Sequence, residues 1–163
     1  MTQGGLLRSG NLALRRAETA DLASLVALQR AAYAKNRPLL GVEPIPLLAD
    51  YGAILRDMEV WVAENDTRLV GALILEPRTD DLLIWSIAAD PTTQGAGLGR
   101  TLLAAAEERA RQLGRTVVRL YTGTPLSHLV AWYGRHGYAV ERIEALSDRS
   151  ITHMIKHLGY EHG

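Results

Sequence analysis

The segment Asp90-Pro91-Thr92-Thr93-Gln94-Gly95-Ala96-Gly97-Leu98-Gly99-Arg100 constrains this chain more than any other part of it. It follows an apolar run, Leu82 to Ala89. It precedes a stretch, Arg100 to Leu113, in which Leu102, Leu103, Ala106, Ala110 and Leu113 recur on one stripe, so it joins a buried strand to an amphipathic helix. A helix starts with unpaired backbone N–H groups and the positive end of its dipole, and glycines let that backbone approach an anion without a Cβ in the way. Arg100 adds a charged donor in the first turn. Glycines can also serve the geometry of a turn alone, but three at alternate positions exceed what a turn requires. Spacing narrows the ligand. Counted from Gly95, the third position of a dinucleotide fingerprint holds Arg100, which disfavours a nicotinamide cofactor. Gly99-Arg100-Thr101 lacks the lysine of a nucleoside-triphosphate loop, which disfavours ATP.

Other classes fall to composition. The chain has 163 residues, 47% of them apolar, which suits one domain with one core. Eighteen basic side chains balance 18 acidic ones, so no long-range field draws the protein to nucleic acid or an anionic membrane. With no cysteine, thiolate metal sites, disulfides and thiol nucleophiles drop out. His153, His157 and His162 lack a credible ligand spacing, and no metal is expected. Residues 1–10 carry no signal-peptide core and read as a flexible leader to a single domain over residues 11–163 of a cytoplasmic protein.

The remaining elements follow from periodicity and breakers. Leu12 to Ala17 reads as an edge strand, and Thr19 is placed to cap a helix with Leu22, Leu25, Val26, Ala32 and Tyr33 on one face. Pro38, Pro44 and Pro46 make residues 36–50 a structured loop, leading to a short helix through Tyr51, Ile54 and Leu55. Residues 59–64 and 69–75 form a hairpin; residues 116–122, a strand; residues 126–136, a helix closed by Gly137. Residues 138–143 and 151–157 form a last antiparallel pair. The expectation is an α+β fold with a mixed sheet of about six to seven strands, covered by helices on both faces because its central strands are apolar on both.

Gln94-x-x-Gly97-x-Gly99, preceded by Ile87-Ala88-Ala89-Asp90-Pro91, resembles the acetyl-CoA signature of the GNAT superfamily of N-acetyltransferases. The likeness extends from Leu14-Arg15-Arg16-Ala17 to Tyr133-Gly134-Arg135-His136-Gly137-Tyr138, which is similar to the family's Tyr-x-x-x-Gly-aromatic segment. It implies that the strand ending at Ala89 splays from the strand beginning near Thr116, with pantetheine in the gap. Gly95, Ala96, Gly97, Leu98, Gly99 and Arg100, with the Gln94 segment, would hold the pyrophosphate. Ile87 and Ala89 would pair with pantetheine, and a free N–H near Ala88 would meet the oxyanion. Tyr133 would protonate the departing thiolate, a task that suits a phenol. The amine would attack the thioester directly, and a homodimer is the family habit. The acceptor would be a small-molecule, peptide or protein amine, a small molecule above all. Trp85 and Tyr33 would wall its pocket, whose apolar lining suits a small or hydrophobic amine.

The chain also departs from the family pattern. Trp85 and Ser86 stand where an acidic or amide pair is frequent, and Gly123 and Leu129 stand where asparagines are. Glu59, Glu64, Glu76, Asp80 and Asp81 are the distant carboxylates that could act through water. The alternatives are an acceptor that arrives neutral, or a non-catalytic acyl-CoA-binding or regulatory domain. A structural partner-binding module would bind no coenzyme A at all.

Overall fold

The computed structural model describes residues 5–93 and 97–159. Among them lie eight strands in one sheet, ordered β1-β2-β3-β4-β5-β6-β8-β7. These are β1 Leu7–Ser9, β2 Leu12–Arg16, β3 Glu59–Asn65, β4 Arg68–Pro77, β5 Leu82–Ala89, β6 Val117–Gly123, β7 Ala139–Ala145 and β8 Ser150–His157. β5 and β6 run parallel, and the other neighbours antiparallel. The α+β expectation holds with one strand more than expected. That strand, β1, lies inside the segment read as a leader and forms the sheet's edge outside β2: Leu7 pairs with Leu14 and is 1% exposed, so burial of one leucine fixes it.

Helices cover both faces, as strands apolar on both sides demand. On one face α5 (Leu98–Gln112) buries Leu102, Leu103, Ala106 and Ala110 against Leu73, Leu75, Leu82 and Met154. Gly114, at φ 72°, ends it in the left-handed conformation that a glycine tolerates. On the other face α1 (Leu22–Tyr33) and α4 (Tyr51–Asp57) set Leu25, Leu28 and Ile54 on Val62 and Ile74. A capping box of Glu18 and Asp21 around a short 3-10 turn precedes α1, in place of the cap expected from Thr19. The proline-containing loop holds two single-turn helices, α2 (Arg37–Leu40) and α3 (Ile45–Leu48). The β3–β4 hairpin turns on Asp66 and Thr67, both at positive φ as a two-residue turn of this hand requires.

Two features of β5 position the site. Its ladder to β4 slips between Ile74–Ser86 and Leu75–Ile84, leaving Trp85 as the extra residue of a bulge. Ile84 therefore packs with the α5 core while Ser86 turns to α1, and Ile87 returns to the α5 side. Pairing with β6 covers only Leu82–Val118, Leu83–Arg119 and Ile84–Leu120. It stops where the bulge begins. Beside the paired end, Asp81 accepts from Arg78 at 2.7 Å and from Arg119 at 2.8 Å, tying the β4–β5 turn to β6.

Candidate active site

Past Ile84 and Leu120 the two parallel strands diverge, and a cavity of about 670 Å³ opens between them. That size suits a small-molecule ligand. α6 (Ser127–Arg135) forms one wall, the start of α5 another, and the end of α1 with the loop behind it a third.

The α5 end has the features of an anion site. Gly97 caps the helix at φ 71°, and the first i→i−4 bond runs from the Thr101 N–H to the Gly97 carbonyl at 3.0 Å. The amides of Leu98, Gly99 and Arg100 precede that bond and so have no intrahelical acceptor. All four residues from Gly97 to Arg100 line the cavity. Gln94, Gly95 and Ala96 lie outside the described residues. The approach to this turn is fastened by Asp90, which the sequence reading passed over. Its carboxylate accepts from the Thr92 N–H at 2.9 Å and hydroxyl at 2.8 Å, and pairs with Arg68 at 3.0 Å. Those partners hold its carboxyl below the usual range. An aspartate two residues before a threonine after a strand end is a recognisable turn signal.

β5 supplies the floor. The Asp90 N–H donates to the Val70 carbonyl, so strict alternation along the antiparallel ladder turns the Ala88 amide toward β4 as well. The free amide expected near Ala88 therefore falls to its neighbours: Ile87 and Ala89 face the open side. Ala88 itself is 1% exposed, packed under α1.

Tyr133, on α6, lines the cavity, held edge-on by Trp132 at 5.0 Å and Tyr138 at 5.9 Å between ring centres. Among the described residues its hydroxyl has no hydrogen-bond partner. Burial, and then the nearby Tyr33 phenol, raise its pKa well above the ordinary tyrosine value, so the proton stays on oxygen at neutral pH.

Tyr33 lies on the same cavity, at the end of α1. Its hydroxyl donates to the Ile87 carbonyl at 3.0 Å, so the Ser86 hydroxyl, 2.8 Å away, donates to it. Ser86 accepts in turn from the Gln29 amide, which also donates to Tyr51, whose hydroxyl donates to the Pro46 carbonyl. Four polar side chains are thus threaded through an apolar layer, and the Gln29 carbonyl oxygen is buried without a partner among the described residues. The bulge explains why a serine sits here: it delivers Ser86 to the one face with donors to meet it. Trp85 also lines the cavity, edge-on to Tyr51 at 6.3 Å. Gly123 is packed so closely by Leu40 that a methyl group there would meet the Leu40 side chain.

None of the distant carboxylates reaches the cavity. Glu59 is bonded by Arg109 and Trp61, Glu64 by Arg15, and Asp81 by two arginines, while Glu76 and Asp80 are exposed. His128 lines the cavity from an exposed position, and His136 bonds the Trp132 carbonyl through Nδ1. The sequence reading missed Asn36 and Arg149, both on the cavity wall. Arg149 donates to the Glu43 carbonyl at 2.8 Å, clasping the β7–β8 turn to the loop before α3. Neither residue belongs to a motif, and their meeting depends on tertiary structure alone. Among the described residues no cluster of His, Asp and Glu could hold a metal ion, and no helix is long and apolar enough to cross a membrane.

The geometry agrees with that of known proteins. The chain matches the model of the acetyltransferase (GNAT) family over residues 22–138, and it belongs to that family of acyltransferases. A GCN5-related N-acetyltransferase structure from Rhodopseudomonas palustris superposes with a TM-score of 0.73 at 20% identity, over 94% of this chain and 100% of its own. The ribosomal-protein-S18-alanine N-acetyltransferase of Escherichia coli follows with a TM-score of 0.72 at 17% identity, over 91% and 95%. The PaiA N-acetyltransferase of Thermoplasma acidophilum, solved in complex with coenzyme A, has a TM-score of 0.69 at 19% identity, over 91% and 99%. No curated protein matches by sequence.

Proposed function

We propose that the protein transfers an acetyl group from acetyl-CoA to the primary amine of a small molecule. The pyrophosphate binds the amides at the start of α5, and pantetheine lies along the open edge of β5, paired with Ile87 and Ala89. The amine nitrogen attacks the thioester carbonyl, its carbon–sulfur bond breaks, and the departing thiolate takes the Tyr133 proton, which the phenolate regains from solvent. The amine's own proton leaves to solvent, because no free carboxylate among the described residues faces the cavity. A backbone amide on the open side of β5 meets the oxyanion, and holding both substrates in one cavity provides much of the remaining rate gain. The observation that carries this reading is the unpartnered Tyr133 hydroxyl in the gap where β5 leaves β6, with the bare start of α5 on the same cavity.

Calorimetry with coenzyme A tests it: a saturable one-site isotherm is expected, and a folded protein that gives no heat sinks the assignment. A second reading, acyl-CoA binding without turnover, is favoured by the lack of a free carboxylate. Release of coenzyme A across a panel of amines, with the mass of an acetylated product, rules that reading out.

A further inference from the structure

The side of the cavity formed by residues 34–46 is walled by Trp85, Leu40, Pro44 and Pro46, and the Asn36 side chain opens onto it. Asn36 is 4% exposed as a residue, and among the described residues its amide forms no hydrogen bond and is not sealed from the cavity. An amide that faces a cavity without a protein acceptor is available to donate to a ligand there. Two cations line the same side. Lys35 has no ion pair among the described residues, and Arg149 is held by the Glu43 carbonyl and by Asp148, whose own side chain is 56% exposed. The carboxylate that lines the cavity, Asp90, sits at the α5 approach and is engaged by Thr92 and Arg68. This wall therefore offers donors and positive charge, set in an apolar surround, and no free anion to receive a second ammonium.

We infer that the acceptor is an amine that also carries a carboxylate, an amino acid with an apolar side chain. The Asn36 amide donates to that carboxylate, and Lys35 supplies the opposite charge. The apolar group lies on Trp85 and the prolines. Polyamines and other polycations are turned away by the same two cations, so the charge that attracts one class excludes the other. The inference rests on reading this cavity as the acetyltransferase site, but its test does not depend on turnover.

Phenylalanine and leucine are each paired with their decarboxylated counterparts, phenethylamine and isoamylamine, and spermidine is added. Binding of each to the full chain is measured by calorimetry, with and without coenzyme A. Each amino acid should bind at least about tenfold tighter than its amine, and spermidine most weakly. Asn36→Asp, which keeps the shape and reverses the charge, should invert that order while leaving coenzyme A affinity unchanged. Lys35→Glu, at an exposed position that tolerates change, should shift it in the same direction. Equal binding within the pairs, preference for the amines or spermidine, no binding of the amino acids, or an order unchanged in both variants overturns the proposal. Failure of coenzyme A to bind instead removes the acetyltransferase reading, and leaves the ligand order to be judged by itself.

Discussion

Tyr133 and Tyr33 are both phenols on one cavity, one two residues from the end of its helix and the other at the end of its own, yet their surroundings divide them. Tyr33 spends its hydroxyl on Ile87 and Ser86, and so fixes the β5 backbone against α1. Tyr133 has rings around it and nothing on its oxygen. A phenol whose proton is bonded to no acceptor is free to offer it to a leaving thiolate that arrives beside it. Tyr133→Phe should lower kcat by roughly 10²-fold or more, the usual size of a general-acid contribution, with coenzyme A affinity little changed. Steady-state kinetics and a binding isotherm on the same variant check it, and full activity would remove Tyr133 from its role.

The start of α5 illustrates how an element can serve two ends at once. Gly97 at φ 71° and Gly114 at φ 72° bracket the helix, one at the cavity and one far from it. Alanine at either position meets the same left-handed penalty of roughly 1–2 kcal/mol, which lowers Tm by roughly 2–4 °C per kcal/mol in a domain of this size. Gly97→Ala and Gly114→Ala should therefore lose similar stability, whereas coenzyme A affinity should fall only in the first. Thermal melts and calorimetry on the pair separate folding from binding. Elements of this kind are also the legible ones. α5, β5 and the β3–β4 hairpin could be read from periodicity and glycines, because their signals are local. The bulge at Trp85 could not, since a strand that is apolar on both faces hides a change of phase. β1 escaped because it is three residues long and shows no alternation that could be read, and Asn36 because an asparagine in a proline-containing loop has no pattern that marks it as buried.

The whole molecule carries its charged ties at the periphery and its phenols inside, which sets how its stability responds to pH. Asp21, Glu59 and Asp81 have carboxyls held below the usual range, Asp21 and Asp81 chiefly by arginine partners and Glu59 by Arg109 and Trp61 against its burial. Their contribution is present above the unfolded value near 4 and is lost as pH falls through the folded values. Burial raises Tyr33, Tyr51 and Tyr133, so theirs is complete below about 10 and disappears as pH rises past it. Tm should form a plateau between those limits. Asp81→Asn should lower that plateau and flatten its acid edge, so that variant and parent converge as pH falls through the folded value of Asp81; parallel curves would exclude Asp81 from the acid transition. One residue marks the place where the two parallel strands part company. On either side of Trp85 the ladder to β4 is in step, as though the indole had been spliced into a strand already complete without it. Beyond it the two parallel strands no longer pair, and the cavity occupies the space that opens between them. The opening begins where a single surplus amino acid interrupts the ladder.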